Sequence, residues 1–136
     1  MTGRRWGLVA AGGAVGAITR WAVLELWGVT SGFPWPVFAL NVAGSVVVGA
    51  VMGAGDDPTP VRPSRVRDLV GLGFCGGLTT FSTFAVEVVS LQRQGDPGVA
   101  VAYVAASVVV AVSGVLVGAT VIRGTTHRPA DRSEGA

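Results

Sequence analysis

A segment rich in glycine and hydroxyl side chains interrupts one of the apolar stretches of this chain. Residues 73–84 read GFCGGLTTFSTF, which includes a pair of adjacent glycines. The hydroxyl side chains that follow this pair belong to Thr79, Thr80, Ser82 and Thr83. Each glycine weakens a helix by roughly 1 kcal/mol, and the hydroxyls compete for backbone hydrogen bonds. The pattern predicts a helix that unwinds near residues 79 and 80, with a kink that serves only packing as the alternative.

An unwound segment of this kind could bind ions. Inside a membrane, unwound backbone is tolerated only where it meets protein or an aqueous cavity. Its freed carbonyl groups suit a hard cation, whereas a helix N-terminus exposed by the same break favours an anion. Phe81 and Phe84 lie three residues apart, so their positive ring edges could line a path for a small anion. Two phenylalanines in a membrane helix are also ordinary packing contacts, and that alternative stays open.

The composition indicates a membrane protein. Of the 136 residues, 50% are hydrophobic and 13% are charged, whereas soluble domains carry about 25% charged residues. A helix that crosses a bilayer needs about 20 mostly apolar residues, and the spans must be helical because lipid offers backbone groups no partner. Four stretches meet this requirement, at about 7–28, 36–54, 68–91 and 98–122. We therefore predict an all-α membrane protein with four transmembrane helices and a break in the third.

The four helices would form one domain at residues 1–124, and the polar tail at 125–136 is expected to be disordered. Cys75 is the single cysteine, so a disulfide within the chain is excluded, and cysteine and histidine do not cluster as in zinc sites. No nucleophile or phosphate-binding loop is arranged for catalysis. We therefore do not expect an enzyme.

The arginines are distributed unevenly between the two ends of the spans. All ten basic residues are arginines, and the alternation of the spans puts eight of them on the side of both termini. These eight are Arg4, Arg5, Arg62, Arg65, Arg67, Arg123, Arg128 and Arg132. The opposite end holds Arg93, and Arg20 lies within the first span. Since positively charged loops stay in the cytoplasm, we expect a multi-pass protein of the cell (plasma) membrane with both termini cytoplasmic.

Small and polar residues recur at helical spacing in the second span. Asn41, Ser45, Gly49 and Gly53 are each four residues apart, which places them on one face of a helix. A carboxamide inside a membrane helix is costly unless it faces protein or water. Asn41 could therefore join two helices, a contribution of about 1 kcal/mol, or line an ion pathway. The span alone leaves both possibilities open.

Glycine pairs in the first and fourth spans predict close helix packing. Gly12 and Gly16 are four residues apart in the first span, and Gly114 and Gly118 are four apart in the fourth. Small residues at this spacing let two backbones approach closely in a membrane. We expect these faces to contact other helices, within the chain or between chains.

Further polar residues lie within the third and fourth spans. Tyr103 and Ser107 are four residues apart and could share a face of the fourth helix, although a serine in a membrane often bonds back to its own helix. Arg20 and Glu87 both fall toward the outer leaflet. We predict that they form a structural charge pair, because pairing lowers the cost of burial; a role in gating is the alternative.

Three of these motifs together resemble the Fluc/CrcB fluoride channel family. They are GGAVGAITRW at 12–21, Asn41 within FALNVAGS, and GFCGGLTTFSTF at 73–84. The last is highly specific, and the resemblance extends over all four spans. It implies a passive, fluoride-selective channel that exports cytoplasmic fluoride and so lowers its toxicity. It also implies an antiparallel dimer with two pores and a central structural sodium ion.

The resemblance assigns roles to particular residues. It implies that the backbone carbonyls of Gly76 and Thr79 hold the sodium, which is not transported. The implied ion pathway contains Asn41, Phe81, Ser82, Thr83, Phe84, Tyr103 and Ser107. Fluoride holds its water strongly, so closely spaced donors must offset its dehydration. A permanently bound cation would also make the interior favourable to anions.

The arginine bias bears on the partner of this chain. An antiparallel pair needs both orientations, whereas a bias of eight arginines against two favours one. We therefore expect pairing with a second, oppositely oriented homologous subunit. The alternative functions are a small four-helix proton-coupled drug exporter and a non-conducting assembly subunit. The exporter would need a carboxylate near the middle of the first span, whereas Glu25 lies near its end.

Overall fold

The computed structural model describes residues 3–28, 32–54 and 65–126, with the side chains of 125 and 126 left aside. In these ranges four helical stretches are long and apolar enough to cross a membrane: Gly3–Trp27, Trp35–Gly53, Arg67–Arg93 and Pro97–Gly124. The chain is therefore all-helical in its described part, as predicted. Arg62, Arg128, Arg132 and the polar tail beyond residue 126 lie outside the described residues.

Three of the four stretches are uninterrupted helices. Helix α1 covers Gly3–Trp27, α2 covers Trp35–Gly53 and α5 covers Pro97–Thr126. Helix α1 begins ahead of the predicted residue 7, because arginine is a good helix former and hydropathy alone does not count the first turn. Pro36 lies in the first turn of α2, where a missing backbone N–H costs nothing.

The third span is divided into segments. It contains a π-helical segment (Arg67–Phe74), helix α3 (Cys75–Leu78) and helix α4 (Phe81–Arg93). Thr79 and Thr80 lie between α3 and α4 with extended backbone, at φ/ψ of −77/153° and −147/123°. The Thr80 side chain caps α4 by accepting a hydrogen bond from the Thr83 N–H, and threonine is a favoured residue at that position.

Helix α1 and the third span run parallel and touch backbone to backbone. A Cβ atom on Gly12 would overlap the carbonyl oxygen of Leu69, and one on Gly16 would overlap that of Phe74. Gly77 of the third span lies equally close to the Gly13 carbonyl of α1. The close packing predicted from Gly12 and Gly16 is confirmed, and it occurs within the chain.

Helices α2 and α5 form a second parallel pair of the same kind. Gly49 packs against the backbone of Val115, and Gly118 packs against the carbonyl of Val46. Gly114 lies under the side chain of Val46, where a Cβ atom would be 3.1 Å from Cγ2. The predicted close approach at Gly114 and Gly118 is therefore also confirmed. Such contacts suit a membrane, where van der Waals packing replaces the hydrophobic effect between helices.

An ion pair joins the first turns of α1 and the third span. Arg5 donates from Nε and Nη2 to the two carboxylate oxygens of Asp68, at 2.7 and 2.8 Å. The Asp68 side chain is 2% exposed, against 30% for Arg5. This two-point geometry is the stronger form of an arginine–carboxylate contact, and the sequence did not predict it.

At the other end of the bundle, Tyr103 of α5 is fully buried. Its ring centroid lies 5.0 Å from that of Phe84 and 5.2 Å from that of Phe33. Phe38 joins this aromatic cluster through Phe33, at 5.3 Å. Tilted and edge-to-face contacts at these distances are favourable, and they fix α4, α5 and the start of α2 against one another.

Candidate ion pathway

The carboxamide of Asn41 is bonded to the backbone of Thr80. Its Oδ1 accepts from the Thr80 N–H at 2.9 Å, and its Nδ2 donates to the Thr80 carbonyl oxygen at 3.2 Å. In a continuous α-helix the Thr80 N–H would donate to the carbonyl of Gly76, four residues earlier. Because Asn41 takes that N–H, the Gly76 carbonyl lacks the partner that a regular helix would give it.

The Thr79 peptide group is held by Arg20 of α1. Arg20 donates from Nη1 to the Thr79 carbonyl oxygen at 3.0 Å. The N–H and the hydroxyl of Thr79 both donate to the Cys75 carbonyl, at 3.0 and 2.8 Å. Thr79 itself therefore satisfies the Cys75 carbonyl at the end of α3, and the charged donor Arg20 satisfies the Thr79 carbonyl.

The hydroxyl groups after the extended residues bond among themselves. Thr80 Oγ1 donates to Thr83 Oγ1 at 3.1 Å and accepts from the Thr83 N–H at 3.2 Å. The Ser82 hydroxyl oxygen lies 3.2 Å from Thr80 Oγ1. Ser82 and Thr83 were predicted for an ion pathway, and in this structure both hydroxyls support the cap of α4.

An open groove of about 430 Å³ lies beside the extended residues. It is lined by Asn41, Gly44, Ser45, Val48, Thr79, Thr80, Phe81, Phe84, Ser107, Val108, Ala111 and Val115. The groove therefore brings together Asn41, Phe81, Phe84 and Ser107 of the predicted pathway. Phe81 is 79% exposed, and its ring centroid lies 5.9 Å from that of Phe84.

The hydroxyl of Ser107 has no hydrogen-bond partner, although its oxygen is buried. The alternative in which this serine bonds back to its own helix is therefore not found. An unsatisfied buried polar group costs about 1–3 kcal/mol, so its presence in a native structure calls for an explanation. A ligand that accepts a hydrogen bond in the groove would remove this cost.

The predicted charge pair between Arg20 and Glu87 is wrong. Arg20 donates to the Thr79 carbonyl, and Glu87 Oε2 instead accepts from the Tyr103 hydroxyl at 2.7 Å. The extended backbone offers Arg20 an acceptor that a continuous helix would have consumed, and the aromatic cluster places the Tyr103 hydroxyl against Glu87. Each of the two side chains therefore has a hydrogen-bond partner other than the predicted one.

Tyr103 and Glu87 lie apart from the groove. Tyr103 was predicted for the ion pathway, but it is fully buried and is not among the residues that line the groove. Glu87 borders a second cavity of about 280 Å³, together with Ser90 and Gln94. That cavity lies where α1 ends and α2 begins.

Sequence reasoning missed several contributors. Ser45, which the spacing placed on the face of Asn41, donates to the Asn41 carbonyl at 2.8 Å, a contact that was not predicted. Gly44 leaves room for the Thr79 methyl group, which a Cβ atom would overlap. The cap formed by Thr80 could have been inferred, because threonine before a helix is a common N-cap. The contact between Asn41 and Thr80 had no local signal, since the two residues are 39 positions apart.

Backbone carbonyl oxygens at the extended segment are ligands of the kind that hard cations accept. The described residues contain no group of three or more acidic, histidine or cysteine side chains that could hold a metal, so carbonyl oxygens are the ligands on offer. Gly76 is exposed, and a Cβ atom there would meet nothing within 4 Å. A carbonyl oxygen has two lone pairs, so Thr79 can accept from Arg20 and still offer one lone pair to a cation; the positive charge of Arg20 on the same oxygen opposes that binding.

Four membrane-length helical stretches, with an open groove beside extended backbone, define a small multi-pass membrane protein of the channel class. The family model described as CrcB-like protein, Camphor Resistance (CrcB), matches residues 7–119. The chain belongs to this family, the Fluc/CrcB fluoride ion channel family, and the predicted resemblance is confirmed. Ion channels are not a class of enzymes.

Similar proteins carry channel names. The fluoride-specific ion channel FluC of Novosphingobium aromaticivorans is 38% identical over 120 residues, 85% of this chain and 94% of that protein. FluC 1 of Mycobacterium bovis is 38% identical over 122 residues, 88% of this chain and 91% of that protein. FluC 2 of Streptomyces avermitilis is 44% identical over 101 residues, 74% of this chain and 63% of that protein. None of these names favours the drug exporter.

Proposed function

We propose that this chain is a subunit of a fluoride-selective channel through which cytoplasmic fluoride leaves the cell passively, which lowers its toxicity. Family membership and the names of the relatives support fluoride as the transported ion. The observation that carries the proposal is the unpartnered Ser107 hydroxyl in a groove that also contains Asn41, Phe81 and Phe84.

The groove offers what a small, strongly hydrated anion needs. The Ser107 hydroxyl can donate to fluoride because no protein acceptor uses it. Asn41 has a second Nδ2 hydrogen besides the one given to Thr80. The ring edges of Phe81 and Phe84 add weak positive potential without a fixed charge. Closely spaced donors of this kind offset the loss of water by the ion, and the passage would be too narrow for larger halides.

A structural sodium ion would be held by the carbonyls of Gly76 and Thr79. When bound, it would supply a fixed positive charge that makes the interior more favourable to anions. The chain contributes the extended backbone, the freed Gly76 carbonyl and the Arg20 and Asn41 contacts beside it. The sodium is a resident ion and is not transported.

The pathway would be completed by a second, antiparallel subunit, giving two pores. The groove is open and Phe81 is 79% exposed, so a neighbouring subunit could enclose both. Both termini would be cytoplasmic in the plasma membrane, in line with the arginine bias. That bias also favours a homologous partner that inserts in the opposite orientation.

The test is fluoride efflux from liposomes that contain the purified chain, alone and together with an oppositely biased homologue. Vesicles loaded with potassium fluoride would receive valinomycin, and a fluoride electrode would record release without a proton gradient. Fluoride efflux far above chloride efflux supports the proposal. Absence of efflux in both preparations would overturn it, and efflux only with the homologue would identify the paired assembly.

The matched variants are Phe81→Ile with Phe84→Ile in the groove, and Val109→Ile outside the groove. Val109 is 63% exposed and does not line the groove. We expect the groove variant to lose most of the efflux and Val109→Ile to retain it. Retained efflux in the groove variant would remove the rings from the pathway. Because Phe84 also packs against Tyr103, thermal unfolding of the same variant separates a lost pathway from a damaged fold.

A further inference from the structure

The geometry points to Asn41 and Arg20 as positioning residues that hold the extended segment in shape before any ion binds. Asn41 reaches Thr80 from α2, and Arg20 reaches Thr79 from α1. The inference deepens the proposed function, on which its connection to sodium rests. It gives Asn41 a second role, support of the backbone, beside the donation to fluoride by its remaining Nδ2 hydrogen.

Asn41 satisfies both polar groups of one peptide residue. Its Oδ1 and one Nδ2 hydrogen are bonded to the N–H and the carbonyl of Thr80, and Thr80 itself is buried. An extended residue inside a membrane has no lateral neighbour to pair with, as a strand would have. Without the carboxamide, the Thr80 N–H would be left with water or the Gly76 carbonyl, and either choice abolishes the fixed geometry.

Arg20 is directed to the segment by the glycine face of α1. It follows Gly12 and Gly16 at four-residue spacing, and both glycines press α1 against the backbone of the third span. Arg20 lies one turn further along the same face, where its guanidinium donates to the Thr79 carbonyl. No carboxylate of the described residues pairs with Arg20, and its guanidinium donates to the Thr79 carbonyl instead. Such charge-assisted bonds are about twice as strong as neutral ones.

The two contacts act on neighbouring residues from two different helices. Arg20 orients the Thr79 carbonyl, and Asn41 diverts the Thr80 N–H from the Gly76 carbonyl. The two carbonyls proposed as sodium ligands are therefore set by side chains of two other helices. The inference predicts that substitutions at Asn41 and Arg20 change the backbone site, whereas substitution of Ser107 changes only the groove.

The experiment compares the full-length chain with Asn41→Leu, Asn41→Asp and Arg20→Met in detergent. The first readout is hydrogen exchange of the peptide that covers residues 75–84, in sodium-free buffer. We expect exchange at least tenfold faster in Asn41→Leu and Arg20→Met. Asn41→Asp keeps an oxygen in place of Oδ1, and its carboxyl group in the protonated form also donates in place of Nδ2, so its exchange should stay within about threefold of the original chain. Unchanged exchange in Asn41→Leu would overturn the inference.

The second readout is the sodium concentration that gives half of the sodium-dependent thermal stabilisation. We expect this concentration to rise at least tenfold in Asn41→Leu and to stay unchanged in Ser107→Ala, because the Ser107 hydroxyl makes no hydrogen bond to the extended segment. A residue that only donated to fluoride would show the reverse, with lost efflux and an unchanged sodium response. That result at Asn41 would refute the positioning role.

The two proposals can fail separately. If the original chain shows no fluoride efflux but the exchange results follow the pattern above, the channel function fails and the positioning role stands. If the chain conducts and Asn41→Leu alters neither exchange nor the sodium response, the positioning role fails and the function stands. If Asn41→Leu does not fold, the test rests on the other two variants. Exchange of residues 75–84 should be at least tenfold faster in Arg20→Met and within about threefold of the original chain in Asn41→Asp.

Discussion

The hydroxyl of Tyr103 donates to Oε2 of Glu87 at 2.7 Å and joins α5 to α4. Tyr103 is fully buried in the aromatic cluster, so the bond gives the glutamate a fixed partner inside the bundle. The arrangement explains how an acidic side chain is tolerated in a span without the arginine that the sequence predicted for it. Glu87 also does not line the groove in which an anion would move.

Replacing Tyr103 with phenylalanine should destabilise the protein while the ring packing is preserved. The change removes the donor to Glu87, and loss of a hydrogen bond to a charged group costs about 1.5–3 kcal/mol. Thermal unfolding in detergent, followed by tryptophan fluorescence, would measure it. Glu87→Gln keeps an acceptor and should cost less, and the double variant should cost less than the sum of the two. Strict additivity would mean that the contact contributes nothing.

Replacing Gly16 with alanine should weaken the packing of α1 on the third span. A Cβ atom at this position overlaps the Phe74 carbonyl, and overpacking of a close contact costs about 1–3 kcal/mol. The control is Gly7→Ala in the same helix, where a Cβ atom meets nothing within 4 Å. That change should be neutral or stabilising by up to about 1 kcal/mol. Equal thermal shifts in the two variants would argue against backbone contact at Gly16.

Substituting Arg5 and substituting Asp68, the two partners of the ion pair, should lower thermal stability by unequal amounts. Arg5→Gln leaves a buried carboxylate without its partner, whereas Asp68→Asn leaves an arginine that is 30% exposed and can reach water. We therefore expect the larger loss of thermal stability in Arg5→Gln. Arg65→Gln, a change at an exposed residue of the same end, serves as the control. An equal or reversed order would contradict the burial argument.

Replacing Ser107 with alanine should leave stability unchanged or slightly raised, because the hydroxyl has no protein partner to lose. If the groove conducts fluoride, loss of one donor worth up to about 1.5 kcal/mol should reduce efflux by roughly tenfold. Ser107→Thr restores a hydroxyl and should recover part of the flux. Thermal unfolding and the fluoride electrode give the two readouts. Unaltered efflux in Ser107→Ala would remove this serine from the pathway.

Several features of this protein followed from local sequence. Apolar length predicted the four spans, because crossing hydrocarbon requires a minimum run of such residues. Spacing predicted the tight faces at Gly12 and Gly16 and at Gly114 and Gly118, because residues four apart share a face whatever lies opposite. The motif at 73–84 identified the family, and the same motif contains the extended residues Thr79 and Thr80.

The partners of the polar side chains were decided only by the tertiary structure. Arg20 contacts Thr79, 59 residues away, and Asn41 contacts Thr80, 39 residues away; nothing in either span specifies which helix lies opposite or at what register. That register is set by where glycine lets backbones meet, which places Arg20 at a peptide carbonyl and leaves Glu87 to Tyr103. The sequence indicates that a charged side chain within a span needs a partner. Which partner is nearest depends on how the helices pack against one another.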